Sequence, residues 1–204
     1  MFNFKYKVQD TRNVFLVSDQ HYFHKNILNP RYTTRGAHFD NIDEMHHEFI
    51  SRHNQVVRTN DIVVNTGDFA FGKPDAVIEI IKQLNGHQIF LFGSHDKPIN
   101  KLAHKNKVEH RGHILEICAK GKIIIACHYC MRTWPKSHYN TWHVYGHSHG
   151  RLPPIGKSHD VGVDNNDYYP VSLDALTVIM GGREDNPNYL RKNYSKVGEL
   201  FNGS

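Results

Sequence analysis

The sequence predicts a layered α/β sandwich, on three observations: short apolar runs, helical periodicity between the first of them, and hairpin-like pairs later in the chain. The runs NVFLVS (13–18), DIVVNTGDFAFG (61–72) and HQIFLFG (87–93) are continuous and break at Asp or Gly, as buried strands do. After the irregular stretch PRYTTRGAHFD, Ile42, Met45, Phe49, Ile50, Val56 and Val57 recur at helical spacing behind Asp40 or Asn41 as cap. Pro74 and Asp75 open a second helix, AVIEIIKQLN, which stops at Gly86. Strands alternating with helices argue for a parallel sheet, because parallel neighbours need a crossover. HILEICAKGKIIIACH then reads as a hairpin turning at Lys120-Gly121, WHVYGHSHG as a further strand and loop, and SHDVGVD as another. These later strands predict a second, more antiparallel portion. With neither repeat nor linker, residues 1–180 form one domain, and the polar, patternless 181–204 reads as a surface tail.

A chain of 204 residues suits a single core, burying about 70% of the unfolded surface. Its 39% hydrophobic and 22% charged residues fit a soluble globular protein. No apolar run approaches the roughly 20 residues of a membrane span, and MFNFKYKVQD lacks a signal-peptide core. Three cysteines argue against a disulfide framework and for a reducing compartment, so the expected location is cytoplasmic. The net charge of +5 is local: residues 97–122 hold seven Lys or Arg against Glu109 and Glu116, and the remainder sums to zero. Such a run is either a solvated helix face or a field that draws in an anionic substrate.

Polar chemistry gathers where the apolar runs end: Asp19-Gln20-His21, Gly67-Asp68, Gly93-Ser94-His95-Asp96, His128 and Gly146-His147-Ser148-His149. The carboxyl ends of parallel strands share one rim, so these five clusters are expected to converge. Imidazole and carboxylate without thiolate suit Mn, Fe, Zn or Ni. An Asp can bridge two cations, and cations about 3.5–4 Å apart stabilise both the attacking and the leaving oxygen of a phosphoryl displacement.

The succession DxH, GD, G(N)HD, H and GHxH resembles the calcineurin-like metallophosphoesterases, above all small bacterial and bacteriophage members, whose first motif often continues as SDQHYFHKNIL does here. The resemblance runs from about residue 13 to 176 and implies a four-layer α/β/β/α sandwich with a dinuclear metal centre, Mn being the first choice. By matching position, Asp19, His21 and His149 would hold one metal, Asp68 would bridge, and His128 and His147 would hold the other. A water activated by the metals would attack phosphorus in line. His95 would protonate the leaving oxygen, with Asp96 orienting its ring. The family has an Asn ligand where this chain has Ser94, and a neutral hydroxyl is a poorer ligand than an amide oxygen. Three readings stand open: a weaker second metal with water filling the gap, a natural variant tuned to another metal, or a deliberate substitution that slows turnover. The weakened second site is the expectation. The implied partner is a phosphate ester, such as a nucleotide or cyclic nucleotide. The alternatives are a nuclease acting on nucleic acid, and a catalytically weakened binding module.

Outside the motifs, His24, Arg31 and Arg35 are candidate phosphate-binding residues. Trp134, Tyr139 and Trp142 flank the loop after His128 and suit stacking on an aromatic group, with Trp142 better placed in the core. Cys127 reads as strand core, and Asp164 as a residue that stabilises the loop after the last strand.

Overall fold

The computed structural model describes residues 5–9 and 13–190. Five strands form a first sheet in the order β10-β2-β3-β4-β5: β2 (Val14–Val17), β3 (Ile62–Asn65), β4 (His87–Phe90) and β5 (Glu109–His110) run parallel, and β10 (Val171–Ser172) lies antiparallel to β2. A second sheet has the order β1-β6-β7-β8-β9, from β1 (Lys5–Lys7), β6 (Ile114–Ala119), β7 (Lys122–Cys127), β8 (Trp142–Tyr145) and β9 (Ser158–Asp160). The expectation of a more antiparallel second portion needs correction. Only the β6–β7 hairpin is antiparallel there, and β1–β6, β7–β8 and β8–β9 are parallel. The long connections 128–141 and 146–157 let the chain return to the same end before each new strand.

The continuous apolar runs are explained by burial on both faces. Val14, Leu16, Ile62 and Val64 meet Leu115, Ile117, Ile124 and Val144 between the sheets. Phe15, Val17 and Val63 face the other way, onto Met45 and Phe49 of α1 (Ile42–Val56), Val77 and Ile80 of α2 (Pro74–Ile81), and Ile99 and Leu102 of α3 (Lys97–His104). Asn41 caps α1, its side chain accepting from Glu44 N at 2.9 Å, and Glu44 Oε2 accepts from Asp40 N at 2.8 Å. A helix without a sequence signal, α4 (Leu173–Gly181), starts at Ser172 and adds Leu173, Leu176 and Met180 to the core between the sheets. The result is a sandwich of two mostly parallel sheets flanked by helices, and no described helix is long and apolar enough to cross a membrane.

Residues 182–190 lie mostly at the surface and are anchored at Asn186. Asn186 is buried, donates from Nδ2 to Ser137 O and Thr141 O at 2.9 Å each, and accepts from Lys157 N at 2.8 Å. The rest of the expected tail, 191–204, lies outside the described residues. At the rim the two sheets are joined directly, as Ser18 beyond β2 pairs with Gly162 beyond β9. Ser18 N donates to Val161 O, and Val163 N to Ser18 O, both at 3.1 Å. This join brings the loops at the carboxyl ends of both sheets to one place.

Candidate metal centre

The strand ends reach that place through backbone that L-residues rarely adopt. Asp19, His21, Asp68, His147 and His149 all have positive φ, between 46° and 65°. Each such residue costs of order 1–3 kcal/mol, strain that collects at functional sites. Glycine allows the close approach: a Cβ on Gly93 would sit 2.2 Å from Asp68 Oδ1, and one on Gly146 2.3 Å from Asp19 Oδ2.

Two triads result. Asp19, His21 and His149 each offer one ligand atom within 4.8 Å of the others, and so do Asp68, His128 and His147. Asp68 Oδ2 faces both, 3.8 Å from His21 Nε2 and 3.3 Å from His128 Nε2. Asp19 Oδ1 and both ring nitrogens of His21 and His128 are buried without a well-formed hydrogen bond. Each unsatisfied buried polar atom costs about 1–3 kcal/mol in an otherwise well-paired interior. A cation would satisfy Asp19 Oδ1 and one nitrogen of each ring, and the nitrogen–oxygen donor set suits the transition metals expected from the sequence. The residues therefore fit two metal ions.

Electrostatics favour the ligating form at His21, His147 and Asp68, whereas Asp19 and His128 are pushed toward their protonated forms. Burial, then the nearby Arg35 charge, holds His21 far below its ordinary range, and burial followed by His128 lowers His147. Both are neutral imidazoles, the ligating form. Burial pushes Asp19 up to about 6 against the pull of His149 and His128. Burial opposes charge on Asp68, but His128 and His21 outweigh it and hold the carboxyl below its usual range. The same contact with Asp68, then Asp19, raises His128 despite its burial.

The surrounding shell departs from two expectations. Arg35 does not face a substrate. It is wholly buried, donating from Nε and Nη2 to Asp164 (2.8 and 2.7 Å) and from Nη1 and Nη2 to the carbonyls of Gln20 (2.9 Å) and Asp19 (2.5 Å). Its guanidinium is spent on the protein because the turn at 35–37 folds beneath the loop that carries Asp19. Asp164 also contacts His149 Nδ1 at 2.7 Å, which fixes the ring and leaves Nε2 for a metal. Asp96 does not orient His95 through its carboxylate. The carboxylate turns back to accept from Asp68 N (2.6 Å), Gly93 N and Phe69 N (2.8 Å each), tying the two loops together.

The remaining candidates divide. Ser94 Oγ lies 3.3 Å from Asp68 Oδ2, at the edge of the second triad. The backbone N–H of His95 donates to Asp68 Oδ1 at 2.9 Å, and its exposed ring packs on Phe71 at 4.6 Å. His24 stacks on the same Phe71 at 4.0 Å, its ring centre 6.5 Å from that of His95. Arg31 is exposed, and no contact among the described residues joins it to the triads. Trp134 and Trp142 are buried, the former against His143, while Tyr139 is exposed. Cys127 is a buried strand residue. The basic run does not form one face: Arg111 pairs with Glu109 and Lys120 with Asp174, whereas Lys97 and Lys101 line a cavity beside His95.

Fold and site together define the class: an α/β sandwich in which two His/Asp triads at the carboxyl rim could hold two metal ions. The chain belongs to the family of the uncharacterized protein MJ1445 of Methanocaldococcus jannaschii, with which it is 31% identical over 182 residues, or 83% of this chain and 92% of that protein. The crystal structure of AQ665, a protein of unknown function from Aquifex aeolicus, shares the fold with a TM-score of 0.62 at 22% identity, over 82% of this chain and 99% of that one. No family model matches the chain.

Proposed function

We propose that the protein is a metal-dependent phosphoesterase of the calcineurin-like kind, acting on phosphodiesters at a dinuclear centre that takes Mn first. One observation carries the reading: a single carboxylate oxygen, Asp68 Oδ2, faces both triads. Divalent cations bound there would supply an activated water near neutral pH and neutralise charge on the phosphoryl oxygens. The chain's own contribution is positional. Asp96 holds the turn of Asp68, and Asp68 in turn anchors the backbone of His95. The His95 imidazole is left at the open side of the centre, where it delivers a proton to the leaving oxygen. His24, stacked on the same Phe71 with its ring centre 6.5 Å from that of His95, lies beside the same opening.

Hydrolysis of bis-p-nitrophenyl phosphate with Mn²⁺, abolished by chelation, is the expected result. His95→Ala is expected to lower kcat about 10²–10⁴-fold while bound metal per chain stays near the wild-type value. A binding module would take up metal without turnover. Activity that survives chelation or the loss of His95 would overturn this assignment.

A further inference from the structure

We propose that the cavity beside His95 holds a second phosphate group of the substrate, on the leaving-group side, gripped by Lys73, Lys97 and Lys101. The assignment deepens the phosphoesterase reading and rests on it for which part of the substrate lies where. The cavity measures about 630 Å³, within the range of small-molecule sites. Ser94 and His95 form its border with the metal centre, and Phe71, Lys73, Lys97 and Lys101 line it further out. Among the described residues no carboxylate lines it.

Its cations are unpaired among the described residues, unlike several others on the surface, and they meet at one cavity. Lys82, Lys120 and Lys136 are each paired, with Glu79 (2.7 Å), Asp174 (3.1 Å) and Glu116 (2.7 Å). Lys73, Lys97 and Lys101 are exposed and have no ion-pair partner among the described residues. Their convergence follows from the fold. Lys73 immediately precedes α2, Lys97 and Lys101 lie one turn apart on α3, and the two helices pack side by side. Three like charges around one cavity repel until an anion neutralises them.

The position of His95 gives the anion its place in the substrate. Hydrolysis breaks the P–O bond to the leaving group, whose oxygen takes the imidazole proton, so that group departs past His95 and into this cavity. Lysine suits a phosphate there as a point charge that does not demand fixed geometry. The phosphate belongs either to the free end of a dinucleotide or to the next link of a longer strand.

Calorimetry with tripolyphosphate on the metal-free full-length chain tests the subsite without turnover. Lys73→Gln, Lys97→Gln and Lys101→Gln together should weaken binding by about tenfold or more, since exposed pairs are individually modest. Removing the same number of charges at Lys82, Lys105 and Lys107 should leave the affinity unaltered. Equal affinity in wild type and the first triple variant overturns the proposal. With Mn²⁺ present, thymidine dinucleotides carrying a terminal phosphate should show higher kcat/KM than the unphosphorylated dinucleotide, and the first triple variant should lose that preference. A preference that saturates at the dinucleotide identifies a small substrate, and one that grows along oligothymidylates identifies a strand. Equal kcat/KM with and without the terminal phosphate overturns the proposal. If wild-type protein hydrolyses neither these compounds nor bis-p-nitrophenyl phosphate, the phosphoesterase reading falls and the calorimetry alone decides the subsite. If it hydrolyses only the latter, that reading stands and the proposal is overturned.

Discussion

Asp19, His21 and His149 rest on a buried ion pair, the side chains of Arg35 and Asp164 being 0% and 7% exposed. In the second triad Asp68 and His128 are buried as well, but His147 is exposed, beside Ser94 and His95, which also meet solvent. The first triad is thus oriented by the buried Arg35–Asp164 pair, and the second by Asp96 and by the His147 N–H, which donates to Asp19 Oδ2 at 2.9 Å. Enclosure and an oriented imidazole favour tight binding, so the two pockets should load in separate steps, the enclosed one first.

The largest test of that asymmetry removes the support. Arg35→Met leaves Asp164 buried without its main partner, a loss of about 3–5 kcal/mol. For a domain of this size that lowers the thermal midpoint by roughly 6–20 °C. A melting curve that overlays the wild type would show that the ion pair is not what holds the enclosed pocket. Asp164→Asn keeps the shape but weakens the hold on His149. Mn²⁺ titration should show the tighter step weakened about 10–100-fold and the weaker step little affected, whereas equal weakening of both would erase the distinction. Ser94→Asn works in the other direction. A better oxygen ligand beside Asp68 should strengthen only the weaker step, by about two- to tenfold, and raise turnover with it. Identical titrations of both forms defeat this last expectation.

What could be read in the sequence was whatever repeats locally. Strands β2, β3 and β4 announce themselves because both their faces are buried, and the hairpin of β6 and β7 because Lys120-Gly121 punctuates two apolar runs. β1 and β10, of three and two residues, are too short for any pattern. In α4, LDALTVIMG is apolar around most of its circumference and shows no polar stripe. The triads stood out because each ligand follows a strand end. The support was hidden for the opposite reason. Arg35 and Asp164 are 129 residues apart, and the contact depends on how two loops fold over one rim. Sequence adjacency was misleading for Asp96, which serves the preceding loop and not its neighbour's ring.

Each triad draws on both layers: Asp19 and His21 follow β2 while His149 follows β8, and Asp68 follows β3 while His128 and His147 follow β7 and β8. Beside them the pairing of Ser18 with Gly162 is already a seam between the layers. An ion seated at either position would act as a rivet through that seam, worth about 2.7 kcal/mol at a hundredfold excess over its dissociation constant. Starving the protein of metal would then loosen the joint while leaving the strands themselves intact, and amide exchange around residues 18 and 162 would quicken before that in the middle of either sheet.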